Sequence, residues 1–186
     1  MSEKIRTIVL TGAPGVGKTT IVRKICQELS RSNIFCHGFY TEEVREQGRR
    51  IGFDVVTLNG TREILARESS SDQLRRPKIG KYSIYLDKFE KLALPLLSQQ
   101  TKNYNPLIVL DEVGKMELIS SKFEATVNSL IDSTKLFVTV PLSTAPTIPT
   151  IERICSSKTS KLFKITKANR NHIKQEIMLM FEELTD

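Results

Sequence analysis

The chain has 186 residues, a length that fits one ordinary domain and can bury a sizeable core. Its formal net charge is +7, from 28 Lys and Arg against 21 Asp and Glu, and its composition excludes the disordered and fibrous classes of protein. The excess charge either serves solubility or matches a polyanionic ligand. A triphosphate would satisfy the second alternative, so nucleic acid is possible as a partner but is not required.

The cysteines indicate a reducing environment. Cys26, Cys36 and Cys155 are odd in number and form no C-x-x-C pair, which argues against a disulfide framework and against a zinc site. No secretory signal is visible, and no window approaches the roughly 20 apolar residues that a membrane-spanning helix needs. We therefore expect a cytoplasmic protein, with the nucleus as a further location, that does not associate with membranes.

Strand and helix signals alternate along the chain, as in an α/β domain with a parallel sheet. Apolar runs predict parallel strands that begin near residues 5, 34, 107, 136 and 161. The first helix should bury one face, made by Ile21, Val22, Ile25, Cys26 and Leu29. We predict a single domain over residues 1–186, with a mostly parallel sheet flanked by helices on both faces.

The middle of the chain departs from this alternation. Residues 41–58 have the pattern of a β-hairpin added to the core sheet, whereas residues 59–78 are polar and predict a surface loop. A short strand is expected in residues 79–86. Asp87 and Glu90 then have the spacing of a capping box at the start of a helix, which Pro95 should kink or divide. A later helix is predicted over residues 117–133, and a final helix carries Ile173, Ile177, Met180, Phe181 and Leu184 on one face.

The turn after the first strand matches the phosphate-binding pattern G-x-x-x-x-G-K-[ST] without a mismatch. The matching residues are Gly12, Ala13, Pro14, Gly15, Val16, Gly17, Lys18 and Thr19, and Thr20 follows them. In such a loop, backbone N–H groups and the following helix N-terminus bind phosphate oxygens. Lys18 should reach the β- and γ-phosphates, and the Thr19 hydroxyl should ligate Mg²⁺. The strand before the loop and the periodic helix after it make a chance match improbable.

A second motif follows a buried strand. The apolar residues Leu107, Ile108, Val109 and Leu110 precede Asp111, Glu112, Val113 and Gly114. Asp111 can hold Mg²⁺ through water, and Glu112 can accept a proton from the attacking water. The alternative for Glu112 is a residue that only borders the site. Lys115 is either a charge for the γ-phosphate, the task of an arginine finger elsewhere, or a solvated lysine.

Two further segments are less specific. Glu42, Glu43 and the arginines near them either meet a substrate or form cross-strand pairs on an exposed hairpin. After the last strand, Asn169 can hydrogen-bond a base edge and Arg170 can stack on a base. The alternative is that this segment merely caps a helix.

These motifs, together with longer segments, resemble the THEP-type nucleoside-triphosphatases, a P-loop family that includes the cancer-related nucleoside-triphosphatase of animals. The resemblance lies in residues 11–20, 38–45, 49–58, 110–118 and 165–172, which keep the family's order and span nearly the whole chain. It implies a P-loop fold and slow, Mg²⁺-dependent hydrolysis of ATP, GTP and other triphosphates. By position, residues 12–19 match the phosphate loop and residues 107–114 the second nucleotide-binding segment. The chain departs from the family in residues 59–78 and 141–160.

Three functions remain open on the residues alone. A hydrolase, acting as a monomer, is favoured. A nucleotide or polynucleotide kinase would use the same two motifs, with an arginine-bearing lid such as residues 59–78. A nucleotide-dependent binding switch is the third, and an intact Glu112 argues mildly against it.

Overall fold

The computed structural model describes residues 4–68, 75–98 and 106–185, with side chains as far as Phe181. The strands in these ranges are β1 (Thr7–Gly12), β2 (Cys36–Glu46), β3 (Arg49–Thr57), β4 (Arg62–Arg67), β5 (Lys78–Ile79), β6 (Tyr82–Ile84), β7 (Leu107–Asp111), β8 (Leu136–Pro141) and β9 (Ser160–Ile165). The helices are α1 (Lys18–Arg31), α2 (Leu86–Leu97), α3 (Ser121–Leu130), α4 (Pro149–Ser156) and α5 (Ile173–Thr185), with a 3₁₀ turn at Glu117–Ile119. All of these strands join in one sheet, in the order β5-β6-β4-β3-β2-β7-β8-β1-β9.

The five strands predicted for the core are present and parallel, in the order β2-β7-β8-β1-β9. The first begins two residues later than its apolar pattern suggested, at Thr7, and continues to Gly12. Because the five strands run in one direction, their carboxyl ends meet at one edge of the sheet. Gly12 and Asp111 are both terminal residues of their strands, and this edge is where open parallel sheets bind ligands.

Helices cover both faces of the parallel strands, as predicted. On one face, Phe89 of α2 and Phe123 of α3 pack edge to face with ring centroids 5.0 Å apart. On the other face, α1 buries all five apolar residues expected of it, and Phe181 of α5 packs against Phe137 of β8. Each fully buried aromatic side chain of this kind stabilises the fold by roughly 1.5–3 kcal/mol.

The remaining strands extend the sheet from β2 in antiparallel fashion. The predicted hairpin is confirmed, because β2 and β3 pair from Phe39 opposite Thr57 to Glu46 opposite Arg49. The segment expected to hold one short strand holds two, β5 and β6, which are joined by a turn in which Gly80 has a φ of 56°.

The prediction of a surface loop over residues 59–78 was wrong for its first half. Residues 62–67 form β4, which pairs with β3 and buries Leu65. The charge that suggested a loop is neutralised on the sheet, since Arg62 and Arg67 both donate to the carboxylate of Asp54. Residues 69–74 of the predicted loop lie outside the described residues.

The start of α2 also differs from its prediction. The helix begins at Leu86 after Tyr85, and the Tyr85 side chain makes no capping hydrogen bond. Asp87 instead accepts a hydrogen bond from Arg76, and Glu90 accepts one from Ser120, so the capping box is not formed. The helix runs without a break to Leu97. Pro95 lies in its last turn, so the one N–H-to-carbonyl hydrogen bond that proline removes is close to the end of the helix.

The helix predicted over residues 117–133 is shorter in the structure. Ser120 has an extended backbone and accepts a hydrogen bond from the Phe123 N–H, so it acts as the N-cap of α3. The residues before it form the separate 3₁₀ turn. The predicted buried residues of this helix are all buried: Phe123, Val127, Leu130 and Ile131.

Candidate nucleotide site

The phosphate loop lies at the carboxyl edge of the parallel strands. It leaves β1 at Gly12 and enters α1 at Lys18. Gly15 and Gly17 have φ values of 72° and 109°, in the left-handed region that favours glycine. Apart from the adjacent residues in the chain, no described residue has an atom within 4 Å of the position where either glycine would carry a Cβ. These two glycines are therefore required by the curl of the backbone rather than by packing.

Lys18 joins the two sequence motifs. Its ammonium group donates to the carbonyl of Gly12 at 3.1 Å and lies 3.6 Å from Glu112 Oε2. The Lys18 residue is only 8% exposed, while the Glu112 side chain is 31% exposed. The cation of the phosphate loop and the second carboxylate of the acidic pair thus face each other at the edge of the site.

Asp111 is the most deeply buried acid of the site, at 1% exposure. Its Oδ1 accepts a hydrogen bond from the Thr139 hydroxyl, whereas its Oδ2 is buried and has no hydrogen-bond partner in the described part of the chain. Burial raises the pKa of Asp111 to about 6, although the hydrogen bond from the Thr139 hydroxyl and the nearby Thr19 hydroxyl both lower it. The peptide bond between Asp111 and Glu112 is cis.

These contacts test whether the residues present suit a magnesium ion. A buried carboxylate oxygen without a partner, beside the Thr19 hydroxyl, is a site that a cation would stabilise. Mg²⁺ in proteins usually takes one or two protein oxygens together with water and substrate phosphates. The donor set of Thr19 and Asp111 therefore fits Mg²⁺ bound to a triphosphate.

The second predicted nucleotide-binding segment divides into two parts. The side chains of Leu107, Ile108, Val109 and Leu110 lie in the apolar core and take no part in the edge of the site. Asp111 and Glu112 lie at the edge, and the backbone after them is held by a hydrogen bond from Val113 N–H to the Thr139 carbonyl. The core part serves to place the acidic pair beside β8.

Among the residues that the structure describes, no contact directs Lys115 at Lys18 or Glu112. Its ammonium donates to the carbonyl of Ala145 at 2.8 Å, in the loop that follows β8. This contact anchors the 112–116 segment to that loop.

The other end of the site lies beside the segment before α5. A cavity of about 380 Å³ separates the start of α1 from this segment and is lined by Gly17, Thr20, Lys24 and Arg170 among others. Arg170 donates to the carbonyl of Val16 at 3.3 Å, so it lies against the phosphate loop. Asn169 uses its amide within the turn, accepting from Thr166 N–H and donating to the Lys164 carbonyl.

The charged residues of the hairpin pair with one another. Arg45 and Arg50 both bind the carboxylate of Glu43, and Arg62 binds that of Glu42. Arg23 of α1 also lies 3.9 Å from Glu42. Arg50 with Glu43 is a cross-strand pair of the kind that the second alternative expects, whereas Arg45 with Glu43 lies within β2 and Arg62 reaches Glu42 from β4. These pairs engage three arginines that could otherwise bind a phosphate.

Sequence reasoning missed one acid of the site, Glu117. It is 5% exposed, and its Oε2 accepts a hydrogen bond from the Gly114 N–H at 3.1 Å. Burial and, to a smaller extent, the charge of Glu112 together raise the pKa of Glu117 to about 8. The spacing Glu112-x-Gly114-x-x-Glu117, which lies wholly within the loop and 3₁₀ turn, was the signal available in the sequence.

Comparison with known proteins identifies the family. A model of the NTPase family matches residues 7–178. The chain belongs to the NTPase family. A cancer-related nucleoside-triphosphatase homolog from Bos taurus is 44% identical over 180 residues, which cover 93% of this chain and 95% of that protein. The resemblance seen in the sequence is thereby confirmed.

Two solved structures of NTPase-family relatives share the fold. The solution structure of a human cancer-related nucleoside triphosphatase superposes with a TM-score of 0.80 at 40% identity, covering 95% of this chain and 97% of that one. The crystal structure of THEP1 from the hyperthermophile Aquifex aeolicus gives a TM-score of 0.82 at 31% identity, covering 95% and 99%. The fold is therefore that of a P-loop NTPase. No helix in the described part of the chain is long and apolar enough to cross a membrane.

Proposed function

We propose that this protein hydrolyses nucleoside triphosphates, ATP and GTP among them, to the diphosphate and inorganic phosphate, with Mg²⁺ as its cofactor. The observation that carries the proposal is the pairing of Lys18 with Glu112 at 3.6 Å. A cation suited to the γ-phosphate and a carboxylate suited to the attacking water stand side by side at the ends of parallel strands. The names of the bovine and human relatives, both nucleoside triphosphatases, support the same reaction.

The phosphates would lie along the loop of residues 12–19. Backbone N–H groups of the loop and the N-terminus of α1 bind the anionic oxygens, and Lys18 exchanges its contact with Glu112 for the β- and γ-phosphates. Thr19 and Asp111 would hold Mg²⁺, with Asp111 acting in its ionised form. Bound Mg²⁺ neutralises charge on the β- and γ-phosphate oxygens.

Glu112 would then act on the attacking water. Its carboxylate orients the water and accepts its proton, while the water oxygen forms a bond to the γ-phosphorus in line with the bond that breaks to the β-phosphate oxygen. Lys18 stabilises the charge of the leaving diphosphate. The products are a nucleoside diphosphate, inorganic phosphate and a protonated Glu112, which returns its proton to solvent.

Slow turnover and a broad range of bases are part of the proposal. In this proposal Lys115, the candidate for a charge supplied within the chain, keeps its hydrogen bond to the Ala145 carbonyl and does not supplement Lys18. Arg170 beside the phosphate loop can stack on any base, since stacking does not read the base edge. Cys26, Cys36 and Cys155 are free thiols, which supports action in a reducing compartment such as the cytoplasm.

The test is Glu112→Gln, which keeps the size of the side chain but cannot accept the proton of water. Hydrolysis should slow by about 10²–10⁴-fold, or roughly 3–5 kcal/mol of barrier. The affinity for Mg-ATP should stay about the same, because the side chain faces the water. A phosphate-release assay beside a nucleotide-binding isotherm measures both, and Glu124→Gln on α3 serves as a matched control that should leave both unchanged.

The results distinguish Glu112 as the base from a residue of the metal site, and hydrolysis from a kinase reaction. Hydrolysis at the parental rate removes Glu112 from the role of base. Loss of binding together with turnover assigns it to the metal site instead. A kinase would be revealed in the parent protein by loss of the γ-phosphate that requires an added acceptor and releases no free phosphate.

A further inference from the structure

Glu117 is a buried acid that the proposed reaction does not use. It lies in the 3₁₀ turn after the acidic pair, at 5% exposure. Among the residues that the structure describes, no lysine or arginine forms an ion pair with Glu117. Burial, followed by the charges of Glu112 and Asp111, disfavours the ionised form of its carboxyl group. A buried carboxyl without a cation is a poor source of stability, so its presence calls for a local role.

The contact of Glu117 is with the backbone that carries Glu112. Its Oε2 accepts the N–H of Gly114, two residues after Glu112, at 3.1 Å. The same turn is closed from the other side by a hydrogen bond from Leu118 N–H to the Gly114 carbonyl at 3.0 Å. Side chain and backbone of the 3₁₀ turn thus both hold Gly114.

Gly114 is also the point where the two glutamates approach each other. A Cβ at this residue would lie 3.0 Å from Glu112 Oε1 and 3.2 Å from Glu117 Oε2. One oxygen of each carboxyl group therefore lies close to the position that a side chain of residue 114 would take. Because Glu117 accepts the Gly114 N–H, movement of its carboxyl group would shift Gly114 and the backbone that carries Glu112.

Glu112 depends on this support because its own side chain is held weakly. Its charged contact among the described residues is Lys18, at 3.6 Å. In the proposed reaction Lys18 binds the triphosphate and no longer contacts Glu112. Among the described residues, the backbone anchors that remain near Glu112 are the hydrogen bond of Val113 N–H to the Thr139 carbonyl and the two bonds of Gly114, from its N–H to Glu117 and from Leu118 N–H to its carbonyl.

We infer that Glu117 is a positioning residue for Glu112, which acts through the Gly114 N–H and keeps the Glu112 carboxylate in place when Lys18 binds phosphate. The inference rests on the proposed function, because it assigns Glu112 the attacking water. Glu117 touches neither water nor phosphate in this role. Its effect is on the geometry of the chemical step, and a misplacement of about 1 Å at such a step can cost on the order of 10² in rate.

The experiment compares Glu117→Leu with Glu117→Gln in the full chain. Leucine fills the buried space but cannot accept the Gly114 N–H, whereas glutamine keeps an acceptor oxygen at the same reach. We expect Glu117→Leu to lower kcat about 10- to 100-fold with KM and the Kd for Mg-ATP changed less than about threefold. Glu117→Gln should recover most of the parental kcat. Glu90→Leu is the matched control, since Glu90 anchors Ser120 of the same segment without touching Gly114 or Glu112.

A double-mutant cycle separates positioning from general damage. If Glu117 acts through Glu112, Glu117→Leu should lower kcat little further when Glu112 is already Gln. An equal loss of kcat in both backgrounds, an unchanged kcat in Glu117→Leu, or a Glu117→Gln variant as slow as Glu117→Leu would each overturn the inference. A parent protein that releases no phosphate would instead overturn the proposed function, so the two failures are distinct.

Discussion

Asp111 and Glu112 are neighbours in the chain but differ in their surroundings. The Asp111 carboxylate is buried at the end of β7, where Thr139 holds one oxygen and the other has no partner. The Glu112 side chain is partly exposed and faces Lys18. Because β7 ends between the two residues, one carboxylate is enclosed and the other can meet water. This difference is the basis for assigning the first to a cation and the second to proton transfer.

Asp111→Asn should raise the Mg²⁺ concentration needed for half-maximal hydrolysis. The substitution removes one negative charge beside the proposed ion, and loss of such a supporting group costs metal affinity by about 10- to 100-fold. A titration of phosphate release against Mg²⁺ measures the effect. Asp132→Asn is the control, since Asp132 bonds to the Thr159 hydroxyl away from the site. Superimposable titrations for the parent and Asp111→Asn would remove Asp111 from the metal site.

Glu117 should make the stability of the nucleotide-free protein depend on pH. Its pKa of about 8 in the folded chain exceeds the ordinary value of 4.5. Between pH 4.5 and about 8, the folded state therefore keeps a proton on Glu117 that the unfolded state has lost. The contribution is fully present below pH 4.5 and is lost as the pH rises through about 8. The free energy of unfolding should therefore fall as the pH rises from 6 to about 8, roughly the upper part of this window.

Glu117→Gln should flatten that fall, because glutamine does not titrate. Urea unfolding of both proteins at several pH values measures the slope. Asp111, whose pKa is raised to about 6, titrates lower and should leave the variant some dependence in mildly acid solution. Equal slopes above pH 6 in parent and variant would show that Glu117 is not protonated in the folded protein.

At the scale of elements, the pairing of β2 with β7 connects the antiparallel strands β3 to β6 to the rest of the parallel sheet. Gly38 of β2 pairs with Val109 of β7 in the sheet. It has a φ of 141°, and a Cβ there would lie 1.9 Å from the Val109 carbonyl oxygen. The two backbones are thus closer than any side chain allows, and glycine is the residue that permits this approach.

Gly38→Ala should destabilise the protein by at least about 3 kcal/mol, because backbone atoms of a central strand cannot move aside without breaking the pairing. Gly60→Ala is the matched control. Gly60 has a positive φ of 94° but open space around it, so it should lose only about 1–2 kcal/mol from backbone strain. Urea unfolding gives both values, and equal losses would mean that the close approach at Gly38 contributes nothing.

For the whole molecule, triphosphate binding should be linked to folding, since the phosphate loop exists only when β1 and α1 are in place. At a Mg-nucleotide concentration of 100 times Kd, binding stabilises the native state by about 2.7 kcal/mol. This linkage allows the binding site to be tested without any assay of hydrolysis.

Lys18→Ala should nearly abolish that stabilisation, because Lys18 is the charge that the loop directs at the β- and γ-phosphates. Thermal unfolding with and without a non-hydrolysable Mg-triphosphate measures the shift, and calorimetry measures the affinity. Lys161→Ala, an exposed position on the edge strand β9, should keep the parental shift. An unchanged affinity in Lys18→Ala would show that the phosphate site has been assigned wrongly.

Much of the fold could be predicted from the sequence because its signals are local. Apolar runs marked all five parallel strands, and helical spacing marked the buried face of α1. The errors fell where a partner distant in the chain decides the structure. Arg62 and Arg67 are in a charged segment that predicts a loop, but in the structure both bind Asp54 on the neighbouring strand and belong to the sheet. The spacing of Asp87 predicts a helix cap, but its carboxylate binds Arg76 instead.

The sequence by itself determined the phosphate loop and the acidic pair, since both motifs are contiguous and their chemistry follows from residue type and spacing. Only the tertiary structure decided how they meet. Gly12 and Asp111 belong to strands separated by β8, and the parallel sheet brings the Lys18 ammonium to within 3.6 Å of Glu112. The tertiary structure also decided that Asp111 and Glu117 are buried while Glu112 is partly exposed. The solvation of a carboxylate depends on every element packed around it and not on its neighbours in the chain.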